Sequence, residues 1–159
     1  PSFTNDTRRD GSPDPPRPRP AGGGPRLGAR LWDRFFDLYV SQPMQKIVTD
    51  RIRPEGSADP FGVDEARAML DTAYAMIEQR MAARPWACGA DFTIADCAAA
   101  PGLFFASIVH PFAVDQENLA AYLQRLLDRP SMRRILAEAR PSFALFPYRD
   151  AMPPRYFED

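Results

Sequence analysis

One stretch constrains the fold more than any other: Phe92-Thr93-Ile94-Ala95-Asp96-Cys97, followed by a run that carries no formal charge through Val114. Thr93 and Asp96 have the spacing of a reciprocal capping box, in which each side chain accepts from the other residue's backbone N–H. Phe92 stands just outside the helix, at the staple position opposite Cys97. Asp96 also meets the positive end of the helix dipole. From Ile94 to Val109 the apolar positions surround the helical wheel, with Asp96 as the lone charge. A helix that is apolar all round is either buried or spans a membrane. Pro101, Gly102, Ser107, His110 and Pro111 interrupt the run, so the membrane reading fails. A central helix buried in an all-α bundle is expected. Removing Asp96 is expected to cost on the order of 1 kcal/mol or more through the cap.

The flanking elements follow helical periodicity. Leu31, Trp32, Phe35, Phe36, Leu38, Tyr39 and Val40 cover about half a wheel, with Asp33, Arg34 and Asp37 opposite. So wide a stripe asks for two partners. Ser41-Gln42-Pro43 reads as a break and restart, the second helix running to about Ile52. Residues 53–62 form a loop by their turn residues. Val63 to Ala83 forms a helix with Ala66, Met69, Leu70, Ala73, Tyr74, Ile77 and Met81 in one stripe, and Pro85 stops it. Two short amphipathic helices follow at Glu117–Leu127 and Pro130–Ala139, then an irregular, aromatic-rich tail.

The order of these elements resembles the C-terminal domain of cytosolic glutathione S-transferases, bacterial type. Phe92-Thr93-Ile94-Ala95-Asp96 is similar to that family's box before its central helix. Trp86-Ala87-Cys88-Gly89-Ala90-Asp91 is similar to its tryptophan–glycine turn. Leu31-Trp32-Asp33-Arg34-Phe35-Phe36-Asp37 is similar to its first long helix. Tyr122-Leu123-Gln124-Arg125-Leu126 and Arg129-Pro130-Ser131 are similar to the two helices after the box. The resemblance covers residues 27–147 and implies an all-α bundle with a buried central helix. It also implies glutathione as the cofactor-like substrate, a hydrophobic electrophile as the second substrate, a homodimer and a cytoplasmic setting. The hydrophobic substrate wall is then assigned to Phe36, Tyr39, Met44 and Phe105, with Arg51 at its polar rim. Phe92, Thr93, Asp96 and Cys97 are structural.

The thioredoxin-like half of that family, which carries its catalytic Tyr, Ser or Cys, finds no counterpart in residues 1–26. That segment holds seven prolines, the Gly22-Gly23-Gly24 run and no Val, Ile or Leu. It is expected to be disordered. Of the 20 Lys and Arg residues only Lys46 is a lysine, as in a G+C-rich gene. A frameshifted or misplaced start is therefore the expected origin of residues 1–26. The chain thus reads as three parts: 1–26 disordered, 27–147 helical domain, and 148–159 irregular tail. The other reading is a non-catalytic helical interaction module of the same fold.

No self-sufficient active site is legible, and no catalytic residue is assigned in this chain. His110 is the only histidine, so any Ser-His or Cys-His triad would have to pass through it. Its place beside Pro111 suits the negative end of the helix dipole. One histidine and two cysteines nine residues apart make no zinc site. The glycine run lacks the strand and lysine of a phosphate loop. A formal net charge of −1 gives no general attraction for nucleic acid. Cys97, inside the central helix, is expected to be buried, and Cys88, before a glycine turn, to be the more accessible thiol.

Overall fold

The computed structural model describes residues 23–157. Six α-helices form a bundle, and no strand longer than an isolated bridge occurs among the described residues. The first three segments make one continuous rod: α1 (Gly23–Phe36), a π turn (Asp37–Ser41) and α2 (Gln42–Arg51). The expected break at Ser41-Gln42-Pro43 is corrected here. Pro43 has no N–H to donate; one wide turn, in which the Gln42 N–H reaches the Asp37 carbonyl, carries the helix past it. The helix opens at Gly23, ahead of the Leu27 boundary. The expected disorder of residues 1–22 lies outside the described residues.

Helix α3 (Pro60–Met81) starts three residues earlier than its periodicity suggests. Asp59 caps it, accepting from the Gly62 N–H at 2.9 Å, and Pro60 fits a first turn that needs no donor. Helix α4 (Ile94–Val109) runs through the middle of the bundle, followed by α5 (Glu117–Leu127) and α6 (Pro130–Phe143). Helix α6 continues past the expected Ala139 and through Pro141, because Phe143 packs against Phe104 with ring centres 5.9 Å apart. Among the described residues the tail after it holds two 3₁₀ turns, Arg149–Ala151 and Pro154–Tyr156.

The core is one cluster in which Phe36, Val40, Ile47, Leu70, Ile77, Leu103, Leu119 and Leu126 are fully buried. Helix α4 crosses the π turn closely at Gly102, where an added Cβ would lie 2.8 Å from Ser41 Oγ. Before it, Trp86 and Gly89 exchange both backbone hydrogen bonds at 3.1 Å. Gly89 closes that turn at φ +130°, a value other residues avoid. No helix among the described residues is long and apolar enough to cross a membrane.

Helix α4 is not covered on every side, as its composition alone suggests. Ile94, Cys97 and Pro101 share an exposed stripe. Pro101, which cannot donate to the preceding turn, thus sits on the solvent side, where an unpaired carbonyl costs least. The expectation that Cys97 is buried is therefore corrected: it is exposed, and Cys88 is half-buried.

Candidate functional site

Asp96 is the one buried charged-type side chain of the described core, and it accounts for four donors. Oδ2 accepts from Thr93 N–H at 2.8 Å and from the Thr93 hydroxyl at 3.1 Å. Oδ1 accepts from Ala87 N–H at 2.8 Å and from the Tyr122 hydroxyl at 2.7 Å. The capping box is present, but half of the carboxylate reaches beyond it, to the Trp86–Gly89 turn and to α5. Burial, with the neighbouring Asp96 next in weight, pushes the Tyr122 phenol above its ordinary range. The group is a structural lock with no substrate access. Phe92 meets Trp86 edge-on with ring centres 5.2 Å apart. It also lines a small cleft of about 220 Å³ together with Cys97.

His110 is tied down as well. Its Nε2 lies 2.6 Å from Asp71 Oδ1, and its Nδ1 lies 3.3 Å from a guanidinium nitrogen of Arg67. Arginine can only donate, so Nδ1 is the acceptor and Nε2 carries the proton. The Tyr74 hydroxyl holds the His110 carbonyl at 3.1 Å. Burial first, then Asp71, raises the Tyr74 phenol. Both ring nitrogens are thus occupied and no nucleophile adjoins them. Among the described residues no cluster of His, Cys, Asp or Glu could hold a metal ion.

The five residues assigned to the substrate wall fall in three places. Phe36 and Met44 are core side chains, 0% and 8% exposed. They share the inward face of the rod with Val40 and Ile47, and Phe36 abuts Trp32, Phe35 and Tyr122. Tyr39 is 47% exposed and lines two adjoining clefts of about 550 and 630 Å³ between the rod and α3. Those clefts share Glu65 and Met69 with it. Phe105 and Arg51 line neither of these clefts. The tail joins them: Phe146 packs on Phe105 at 5.0 Å, Tyr148 adjoins Phe146, and the Arg51 guanidinium sits 4.4 Å over the Tyr148 ring.

Sequence reasoning missed Leu38, Met69 and Met76 as cleft residues, and Phe146 and Tyr148 as partners of the wall. Met69 falls on the core stripe by periodicity yet is 43% exposed. The packing angle between rod and α3 leaves it at the cleft, and no period encodes that angle.

Residues 60–125 match the family model for the glutathione S-transferase C-terminal domain. The bundle built around them has the fold of that family's C-terminal domain. Glutathione S-transferase GstB of Escherichia coli K12 is 24% identical over 112 residues, 70% of this chain and 54% of GstB. The chain spans about half the length of the curated relatives it matches. A glutathione S-transferase of Methylobacterium radiotolerans, solved with glutathione sulfonate, is 27% identical with a TM-score of 0.60. The match covers 76% of this chain and 57% of that one. The glutathione transferase URE2P8 of Phanerochaete chrysosporium, solved with oxidized glutathione, has the same fold at 17% identity and a TM-score of 0.67. That match covers 79% and 58% of the two chains. The relatives matched are transferases, so the comparisons do not favour the free-standing interaction module.

Proposed function

We propose that this chain supplies the hydrophobic-substrate half of a glutathione S-transferase. An apolar electrophile rests against the wall, the glutathione thiolate attacks its electrophilic carbon, and the leaving group departs as the C–S bond forms. The wall is Tyr39 with the clefts beside it, and Phe105 with its tail partners, with Arg51 at the rim. One observation carries the reading: in a glutathione S-transferase C-terminal domain, the half-exposed Tyr39 lines large, mostly apolar clefts between rod and α3. Tyrosine suits such a place because its ring is apolar and its hydroxyl takes water or a polar substrate group.

The thiol must be activated by a donor, since the thiolate is the nucleophile. Among the described residues no such donor is legible, so turnover is assigned to a glutathione-binding, thioredoxin-like half. This chain alone is then inactive. Beyond Tyr39 the apolar surface continues over Leu31 and Met76, 66% and 47% exposed. A second copy of the chain covers that stretch in the proposed homodimer, and the setting is the cytoplasm.

The test is calorimetric titration of the purified chain with S-hexylglutathione and with glutathione, beside a conjugation assay. S-hexylglutathione is expected to bind, Tyr39→Ala to weaken it several-fold, and free glutathione to give no heat of binding. Conjugation at the uncatalysed rate is expected. Equal binding of both ligands, or indifference to both Tyr39→Ala and Phe105→Ala, overturns the reading.

A further inference from the structure

Trp32 of α1 faces the last turn of α3 across a cleft of about 330 Å³. Its lining is Trp32, Met76, Gln79, Arg80, Ala83 and Arg84. Arg80 is fixed in place, with its Nε donating to the Ala87 carbonyl and its guanidinium 4.1 Å over the Trp32 ring. Among the described residues its two terminal nitrogens take no acceptor, and no carboxylate pairs with it. Arg84 is exposed, and its side chain likewise has no hydrogen-bond or ion-pair partner among the described residues. Burial, and next the charge of Arg84, pull the Arg80 guanidinium below its ordinary range. Two like charges beside one cleft repel, and an anion bound between them relieves that repulsion.

We propose that this cleft binds a dianionic oxyanion group, a phosphate monoester, carried on a flat apolar body. The free fork of Arg80 matches a pair of oxygens on one tetrahedral group. Arg84 answers the second charge, and the Gln79 amide adds a neutral donor. Ala83 and the edge of Trp32 give the apolar body a surface that inorganic phosphate would not use. A site of this kind borders the Tyr39 clefts at Met76 but has its own charged lining and does not depend on transferase chemistry.

Phenyl phosphate, inorganic phosphate and benzoate are the probes, titrated into the whole chain and followed by the indole N–H resonances of Trp32 and Trp86 and by calorimetry. Phenyl phosphate is expected to saturate, to shift Trp32 alone, and to bind at least roughly fivefold tighter than either other probe. Added salt is expected to weaken it, as exposed charges require. Arg84→Gln removes no contact of the fold, so it is expected to keep the melting midpoint and lose most of the affinity. Arg84→Lys, retaining charge without the fork, falls between. Absence of saturation, a shift at Trp86 in place of Trp32, equal binding of all three probes, or unchanged affinity in Arg84→Gln each overturns the proposal.

Discussion

The Tyr122 hydroxyl donates to Asp96 Oδ1 across 2.7 Å, tying α5 to the first turn of α4 inside the core. The same oxygen takes the Ala87 N–H from the Trp86–Gly89 turn, so one carboxylate fixes three segments. Asp96→Ala would strand a buried phenol, the buried Ala87 N–H and the half-buried Thr93 N–H. We expect it to cost about 3–5 kcal/mol, well above a lone cap. Tyr122→Phe leaves the other three donors in place and is expected to cost about 1–3 kcal/mol. Urea midpoints decide: a loss near 1 kcal/mol for Asp96→Ala would reduce the group to an ordinary cap.

Glu78 of α3 caps a helix that is not its own. Its Oε2 accepts from Leu119 N–H at 2.7 Å and its Oε1 from Asn118 N–H at 3.2 Å, at the start of α5. Gln116, at the capping position, offers no such side-chain bond. Glu78→Ala is expected to cost about 1–2 kcal/mol, as loss of a good N-cap does. Hydrogen exchange should quicken at Asn118 and Leu119 first; uniform quickening across the bundle would argue against a local cap.

Stability should fall at both ends of the pH range. The Gly62 N–H, then Lys46, holds the Asp59 carboxyl below its usual 3.8. A depressed carboxyl contributes stability above its unfolded value and loses it as pH falls through the folded one. The melting gap between the parent and Asp59→Asn should therefore be full at neutral pH and close below pH 3.8. At the alkaline end, Tyr122 and Tyr74 are raised from 10.0, chiefly by burial. Their contribution is whole below pH 10 and lost above it, so their phenolate absorbance should appear only with unfolding. Early, reversible ionisation of every tyrosine would count against this.

Exposure makes Cys97 the faster thiol. A disulfide reagent should label it first and Cys88 later. Cys97→Ser should delete the fast phase; deletion of the slow phase would reverse the assignment.

Much of the fold was legible because local rules set it. Thr93 and Asp96 announced the start of α4, and the period of Ala66, Leu70, Ala73, Tyr74 and Ile77 announced α3. The site was less legible. Phe36 and Tyr39 look alike on a wide apolar stripe, yet across the π turn Tyr39 faces outward while Phe36 and, beyond it, Met44 enter the core. Cys97 belongs to an all-apolar helix, yet the bundle leaves one face of that helix bare.

Sequence by itself determined the helical class, the order of elements, the cap of α4 and the resemblance to a transferase domain. These rest on spacings within a few turns, where backbone geometry repeats. Tertiary structure decided that Asp96 also serves Ala87 and Tyr122, that Phe105 and Arg51 meet through the tail, and that Arg80 and Arg84 share a cleft with Trp32. Those contacts join residues far apart in the chain. They depend on helix crossing angles and on one wide turn, which no local period encodes.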